Sequence, residues 1–221
     1  MAVHCELRGV HKHYNGRAVL DGFNLRVEAG EMVAITGGSG VGKSTVLNLI
    51  GLLEAPDAGE VRVLSELAPK PRTRAANRYL RHHLGYLFQN FALIDSASVR
   101  ENLEIALAYS PSTELKRPKQ ERIDEALTHV GLTGEENRAV FFLSGGEQQR
   151  VAIARLMLKP CDIVLADEPT GSLDTANRDT VLRMLQELNE AGKTIVIATH
   201  DEAVTRACSR KVELSGASER I

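Results

Sequence analysis

The sequence predicts an α/β fold: a core with a mostly parallel sheet, an N-terminal antiparallel β subdomain and an inserted α-helical subdomain. Three patterns predict it. Apolar segments at 31–36, 162–167 and 194–199 alternate with segments of helical period, as buried parallel strands alternate with their crossover helices. Residues 2–10 and 18–30 instead alternate apolar with polar side chains, as half-buried antiparallel strands do. A helix-rich stretch at about 90–142 breaks the alternation and divides the core of a single domain into about 1–89 and 143–221.

In chain order, "EMVAIT" reads as a buried strand and "KSTVLNLIGLLEA" as a helix that stops before Pro56. Residues 72–84 are basic and helical in pattern, and "LGYLFQ" returns to strand. From Ser98 to Leu132 the chain reads as mostly helical, broken by "SPSTELKRPKQ", whose prolines mark a surface loop. Helix and strand then alternate through "EQQRVAIARLMLK", "DIVLAD", "RDTVLRMLQELNEA", "TIVIAT", "DEAVTRAC" and "RKVEL".

Composition narrows the function classes. With 43% hydrophobic and 25% charged residues, 221 residues suffice for one sizeable domain. Lys and Arg number 27 against 29 Asp and Glu, a net charge of -2 that gives no electrostatic footprint for nucleic acid. Cys5, Cys161 and Cys208 are odd in number and widely spaced, so they read as buried small residues in a reducing compartment. No run approaches the roughly 18 apolar residues of a membrane span, and the expectation is a soluble, cytoplasmic chain.

The β-branched run ending at Thr36 leads into Gly37–Ser44, which fits G-x-x-x-x-G-K-[ST]. In such a loop several backbone N–H groups converge on anionic oxygens where a Cβ would obstruct the approach. Gly37, Gly38, Ser39, Gly40, Val41 and Gly42 form that cradle, and the loop opens a helix whose N-terminus favours phosphates. Lys43 reaches the β and γ phosphates, Ser44 is placed for Mg²⁺, and Thr45, next on the helix, is the last nucleotide-binding candidate of the loop. The core is therefore expected to be a phosphate-loop NTPase.

A second apolar strand, "DIVLADEPT", ends in two adjacent carboxylates, Asp167 and Glu168. A solvated strand-to-loop junction would account for an ordinary Asp-Glu pair. Beside a phosphate loop, Asp167 suits the surroundings of Mg²⁺, and Glu168 suits polarising a water for attack on the γ-phosphate. His200 sits just beyond the buried strand "TIVIAT", where open parallel sheets collect ligand groups.

"LSGGEQQR", Leu143–Arg150, reads as a second anion site: Ser144, Gly145 and Gly146 open a helix with unpaired N–H groups and a hydroxyl. Alone, the string is explained by a Ser N-cap with glycines before a well-formed helix. Together with residues 37–45 and "LADEP" it resembles the signature of the ATP-binding cassette (ABC) ATPases, and the resemblance covers nearly the whole chain.

That resemblance implies roles for named residues. Tyr14 in "HKHYNG" matches the aromatic on which adenine stacks, and Gln89 in "LFQN" matches the glutamine that meets Mg²⁺ and the attacking water. "SLD", Ser172 to Asp174, resembles the loop that crosses between subunits, although a helix N-cap at Asp174 explains part of it. His200 matches the histidine that contacts the γ-phosphate. Two cassettes pair head to tail, so that Ser144 to Gly146 of one closes over ATP held by Lys43 of the other. The segment "RAVFF" departs from the polar-plus-proline sequence of many relatives, which implies a different contact to the membrane partner, while Lys43, Gln89, Glu168 and His200 all stand.

The use of the ATP follows from partners. Chromosome-maintenance ABC proteins need long heptad coiled coils, and translation factors need tandem cassettes with basic arms; neither pattern occurs in this sequence. The expectation is a transporter subunit, peripheral on the inner face of the cell membrane, with its permease on a separate chain. "ALIDSASVRENLEIAL" resembles the macrolide-export and lipoprotein-release group, with bacteriocin-export cassettes the nearest branch, and a chain stopping at Ile221 fits that group better than importers with regulatory tails. Cargo would be a peptide or bacteriocin, a lipoprotein or a hydrophobic compound; the alternative is an ATPase driving a membrane signalling or cell-division complex. Phe91 to Ser98, with Val140 to Phe142 opposite, is the expected groove for a permease helix.

Overall fold

The structure, a computed structural model, describes residues 2–108, 117–171 and 173–215. Two sheets form. The first is antiparallel: β1 (Val3–Tyr14) lies between β2 (Arg17–Glu28) and β4 (Ala58–Val63), with the short β5 (Glu66–Leu67) at the edge. The second is parallel, in the order β6 (Leu84–Leu87), β7 (Ile163–Asp167), β8 (Thr194–Ala198), β3 (Met32–Thr36), β9 (Arg210–Glu213). Both follow from the residue patterns: β3 and β8 are buried throughout, while β1 alternates buried with more exposed positions.

Alternation along the parallel strands divides the core. Val33, Ile35, Leu165 and Val196 face α1 (Lys43–Ile50) and the antiparallel sheet. Met32, Val164, Ala166 and Ile197 face the helices α3 (Val99–Leu107), α4 (Lys119–His129), α5 (Gly145–Leu158) and α6 (Thr175–Glu190). Each fully buried aliphatic side chain stabilises by about 1.5–3 kcal/mol, so the sheet is a rigid floor for the loops at its carboxyl edge. The remaining helices are α2 (Arg74–His82) and α7 (Glu202–Ala207). Among the described residues no helix is long and apolar enough to cross a membrane.

Two sequence expectations differ from the observed elements, and one element was not expected. Helix α1 ends at Ile50 rather than running to 55, because the chain turns at Gly51 and Leu52, the latter with φ +57°. Strand β4 answers no sequence signal: "AGEVRV" is short, and its first three residues are exposed. Strand β1 runs past Val10 to Tyr14, bent by register shifts, and the Asn15–Gly16 turn closes its hairpin with β2. The loop expected at 110–120 lies outside the described residues up to 116, as does Ser172. Cys5 and Cys161 are buried and Cys208 is half-buried; burial pushes the Cys5 thiol up to about 12.

Candidate functional site

The ends of β3, β7 and β8 meet around one cleft of about 650 Å³, within the usual range for a small-molecule site. Its lining includes Tyr14, Gly37, Gly38, Ser39, Gly40, Gly42, Lys43, Ser44, Thr45, Gln89, Asp167, Glu168 and His200. The loop 37–42 is shaped partly by its own packing. Gly37 has φ +145°, and a Cβ there would lie 2.5 Å from the Leu214 carbonyl oxygen; at Gly42, φ +109°, it would lie 2.6 Å from Val19 Cγ1. Close approach of a ligand is thus a second demand at these two glycines, beside that of the fold. Val41 does not line the cleft: its side chain packs against the core under the antiparallel sheet.

Lys43 Nζ donates to the carbonyls of Gly37 and Gly38, each at 3.0 Å, and lies 3.9 Å from Glu168 Oε1. Glu168 is the residue after β7 and adopts φ +44°, held by its N–H donating to Ala198 O at 2.9 Å. This left-handed turn follows the strand immediately, and it brings the carboxylate to His200, whose Nδ1 is 2.9 Å from Oε1. The other oxygen, Oε2, is buried and has no hydrogen-bond partner.

Asp167 stays on the strand. Burial raises its carboxyl above the usual range, against the opposing effect of a hydrogen bond with Ser44. A hard divalent cation suits this set: one hydroxyl, one desolvated carboxylate, the Gln89 amide at the cleft wall and the orphaned Glu168 oxygen nearby. Among the described residues no group of three or more His, Cys, Asp or Glu forms a metal cage, so phosphate oxygens would have to complete the coordination.

Tyr14 stands at the cleft rim, 39% exposed, with its hydroxyl donating to the Glu54 carboxylate and Lys12 Nζ 5.3 Å from its ring centroid. Glu54 also accepts from Asn48 at 2.9 Å, so the ring orientation is fixed from α1. Sequence reasoning did not find Glu54, Val19 or Gly171, which also lines the cleft; the glycine in "EPTGSLD" is the one signal that could have been read.

Ser144, Gly145, Gly146 and Asp174 do not line this cleft. Ser144 is the N-cap of α5 in a capping box: its hydroxyl donates to Glu147 Oε2 at 2.7 Å and accepts from the Glu147 N–H at 3.3 Å. The hydroxyl expected to help bind an anion is therefore engaged by Glu147. Asp174 caps α6, accepting from Asn177 N at 2.9 Å and Nδ2 at 2.8 Å. A Cβ at Gly146 would lie 2.8 Å from the Asn177 side chain, which also accepts from Arg150 at 2.8 Å. Asn177 thus ties the starts of α5 and α6 together.

The segment Phe91–Ser98 does not form one wall of a groove with Val140–Phe142 as the other. The two are hydrogen-bonded to each other, Val140 N to Ala97 O at 3.0 Å and Phe141 N to Asp95 O at 3.1 Å. Phe91 and Leu93 pack against the core, buried Asn102 holds the backbone of Ile94, and the side chains of Ile94, Phe141 and Phe142 are exposed.

The ABC transporter family profile matches residues 20–171. The macrolide export ATP-binding/permease protein MacB of Sodalis glossinidius is 43% identical over 216 residues, 95% of this chain and 32% of that protein. MacB of Escherichia coli is 42% identical over 213 residues, 95% of this chain and 33% of that protein. The chain thus spans about a third of the length of the curated relatives it matches. Among solved structures, the ATP-binding cassette MJ0796, in a dimeric post-hydrolysis state bound to ADP and Pi, superposes with a TM-score of 0.85 at 36% identity, covering 96% of this chain and 94% of that one. CbiO1 from Clostridium perfringens, part of the transporter complex cbiONQ, gives 0.84 at 28% identity, covering 97% and 86%. Loop, carboxylate pair and helix-capping "LSGG" therefore sit in a shared framework, and the chain belongs to the ABC transporter family.

Proposed function

We propose that this ABC ATPase binds Mg-ATP in the cleft and works as a head-to-tail homodimer that powers a membrane permease carried on a separate chain, at the inner face of the cell membrane. One observation carries the reading: Ser144 to Gly146 and Asp174 lie outside the cleft that holds Lys43 and Glu168. A single chain has the two halves of the nucleotide site in different places, and pairing two chains completes both. The dimeric MJ0796 structures support the pairing of two cassettes.

Within the cleft, Lys43 would shift its donors from the Gly37 and Gly38 carbonyls to the β and γ phosphates. Ser44 and Gln89 would hold Mg²⁺, with Asp167 beside them. Glu168 would accept the proton of the attacking water, and His200 would steady that carboxylate and contact the γ-phosphate. Tyr14 would stack on adenine.

For the helical subdomain, about 90–142, we propose contact with the permease at an apolar cavity lined by Leu53, Tyr86, Phe88 and Ile105, near Gln89. The names of the relatives favour export of a hydrophobic compound.

Mixing two inactive variants tests the pairing. Lys43→Ala and Ser144→Arg should each be inactive alone. Their mixed dimer contains one site with both halves intact, so combining the two preparations should restore ATP hydrolysis. No recovery, with exchange of chains confirmed by a fluorescence label, would contradict the head-to-tail arrangement.

A further inference from the structure

Residues 67–94 contain five Lys and Arg, at 70, 72, 74, 78 and 81, and no Asp or Glu, although the whole chain has a small acidic excess. Three of the five stand on α2. Arg74, Arg78 and Arg81 recur at spacings of four and three residues, with His82 beside the last, so they share one face of the helix over about 12 Å. The opposite face is the packed one: Ala76 is buried, Tyr79 and Leu80 are half-buried, and the Tyr79 hydroxyl donates to Glu66 at 2.6 Å. Both ends of the helix are tied down. Thr73 caps the start, accepting from Ala76 N at 3.2 Å, while Lys159 Nζ donates to Leu80 O at 2.7 Å and His83 Nδ1 lies 2.6 Å from the Asp162 carboxylate.

Lys70, Arg72, Arg74 and Arg78 are all exposed, and none of the four forms an ion pair among the described residues. Like charges one turn apart repel, so the stripe weakens its own helix until an anionic surface faces it. The Glu66 bond sets β5 against α2, and the next residue, Leu67, is 62% exposed. We propose that this face of the cassette is a contact surface for anionic lipid headgroups. The inference rests on the reading that the cassette works at the inner face of the membrane, and adds what the cassette itself presents to the lipid.

A cluster of four to eight Lys and Arg on an amphipathic helix is what an anionic leaflet attracts. Lipid also accounts for the neighbours better than nucleic acid does. A bilayer surface accepts an exposed aliphatic side chain such as Leu67 near the cations, whereas residues 67–94 offer no exposed aromatic ring on which a base could stack. The rest of the chain carries all 29 Asp and Glu, so an anionic surface draws this face in and repels the others. Lipid contact would thereby orient the cassette. Leu80 of α2 also lines the cavity proposed for the permease, so both contacts turn the same side toward the bilayer.

Flotation of the full chain with vesicles tests this. Wild type should float with vesicles of equimolar phosphatidylglycerol and phosphatidylcholine, stay behind with phosphatidylcholine alone, and be released by added salt. Arg74→Gln combined with Arg78→Gln should weaken partitioning about tenfold to thirtyfold, while Arg74→Lys combined with Arg78→Lys should retain it. ATP hydrolysis without vesicles should be equal in all three, since neither position lines the ATP cleft. Binding that ignores phosphatidylglycerol, or that survives the double Gln variant, overturns the proposal. So does a DNA duplex that binds as tightly as the vesicles at the same salt through the same arginines, which would assign the patch to nucleic acid. Each of these failures leaves the paired ATPase and its permease standing, because mixing the two inactive variants tests that reading separately. Should the double Gln variant lose its thermal transition, the single variants decide, each expected to weaken partitioning about threefold to sixfold.

Discussion

His200 Nδ1 lies 2.9 Å from Glu168 Oε1, while Glu168 Oε2 is buried with no partner. One oxygen is fixed by the imidazole, and the other is left unpartnered in a residue that lines the cleft. This is the arrangement expected of a carboxylate that must take a proton from a water at a defined place. His200→Ala should lower kcat about a hundredfold or more while ATP binding changes little, as measured by turnover and by titration with a fluorescent ATP analogue. A matching loss of affinity would mean that the ring mainly holds nucleotide.

Lys43 is the cation nearest the loop, and its two acceptors are loop carbonyls. Lys43→Ala should abolish turnover and weaken ATP binding about tenfold or more, the effect of losing a charge-assisted hydrogen bond. An unchanged thermal transition without nucleotide separates this from misfolding. Turnover at the wild-type rate would contradict the role.

Asp167 should tie stability to pH. Its folded-state pKa is raised, so the folded chain holds the proton more tightly than the unfolded one. The stability contributed by this group is present in full below the ordinary value of 3.8 and is lost as pH rises through the raised folded value. Asp167→Asn should therefore raise the nucleotide-free unfolding midpoint at neutral pH and flatten its acid-side slope, while reducing Mg-ATP turnover. Calorimetry across a pH series checks the first part; a lower midpoint at neutral pH would contradict it.

Gly42 tests the loop as a packing device. Gly42→Ala forces a Cβ into φ +109°, 2.6 Å from Val19 Cγ1, and should cost about 1–3 kcal/mol in chemical denaturation. Adding Val19→Ala should restore the contact portion and leave the backbone portion. A neutral Gly42→Ala would mean that the loop relaxes at no cost.

Much of this was legible in the sequence because the signals were local. Buried runs such as "DIVLAD" and "TIVIAT" have no polar alternation to mislead, and the glycine loop is contiguous. What escaped depends on tertiary contact. Strand β4 exists because it pairs with β1, Leu7 opposite Val61, and not because "AGEVRV" favours a strand. Glu54 and Asn177 act through partners dozens of residues away in sequence, at Tyr14 and Arg150. Ser144 was readable as an N-cap and as an anion site; the Glu147 carboxylate that occupies its hydroxyl shows that the cap is formed, and ATP would have to compete with that bond. The position of the apolar groove was missed because it is built from Leu53, Leu80, Tyr86 and Ile105, which no single window contains.

Two copies of this chain are expected to close over ATP, and Glu168 to end the closed state by hydrolysis. Glu168→Gln keeps the side-chain shape and removes the proton acceptor, so sedimentation velocity of that variant is the most direct measurement. With Mg-ATP it should sediment as a dimer that persists, and as a monomer without nucleotide; adding Ser144→Arg should abolish the dimer while ATP binding is retained. A Glu168→Gln chain that binds Mg-ATP and stays monomeric, or that hydrolyses ATP at the wild-type rate, would contradict the claim.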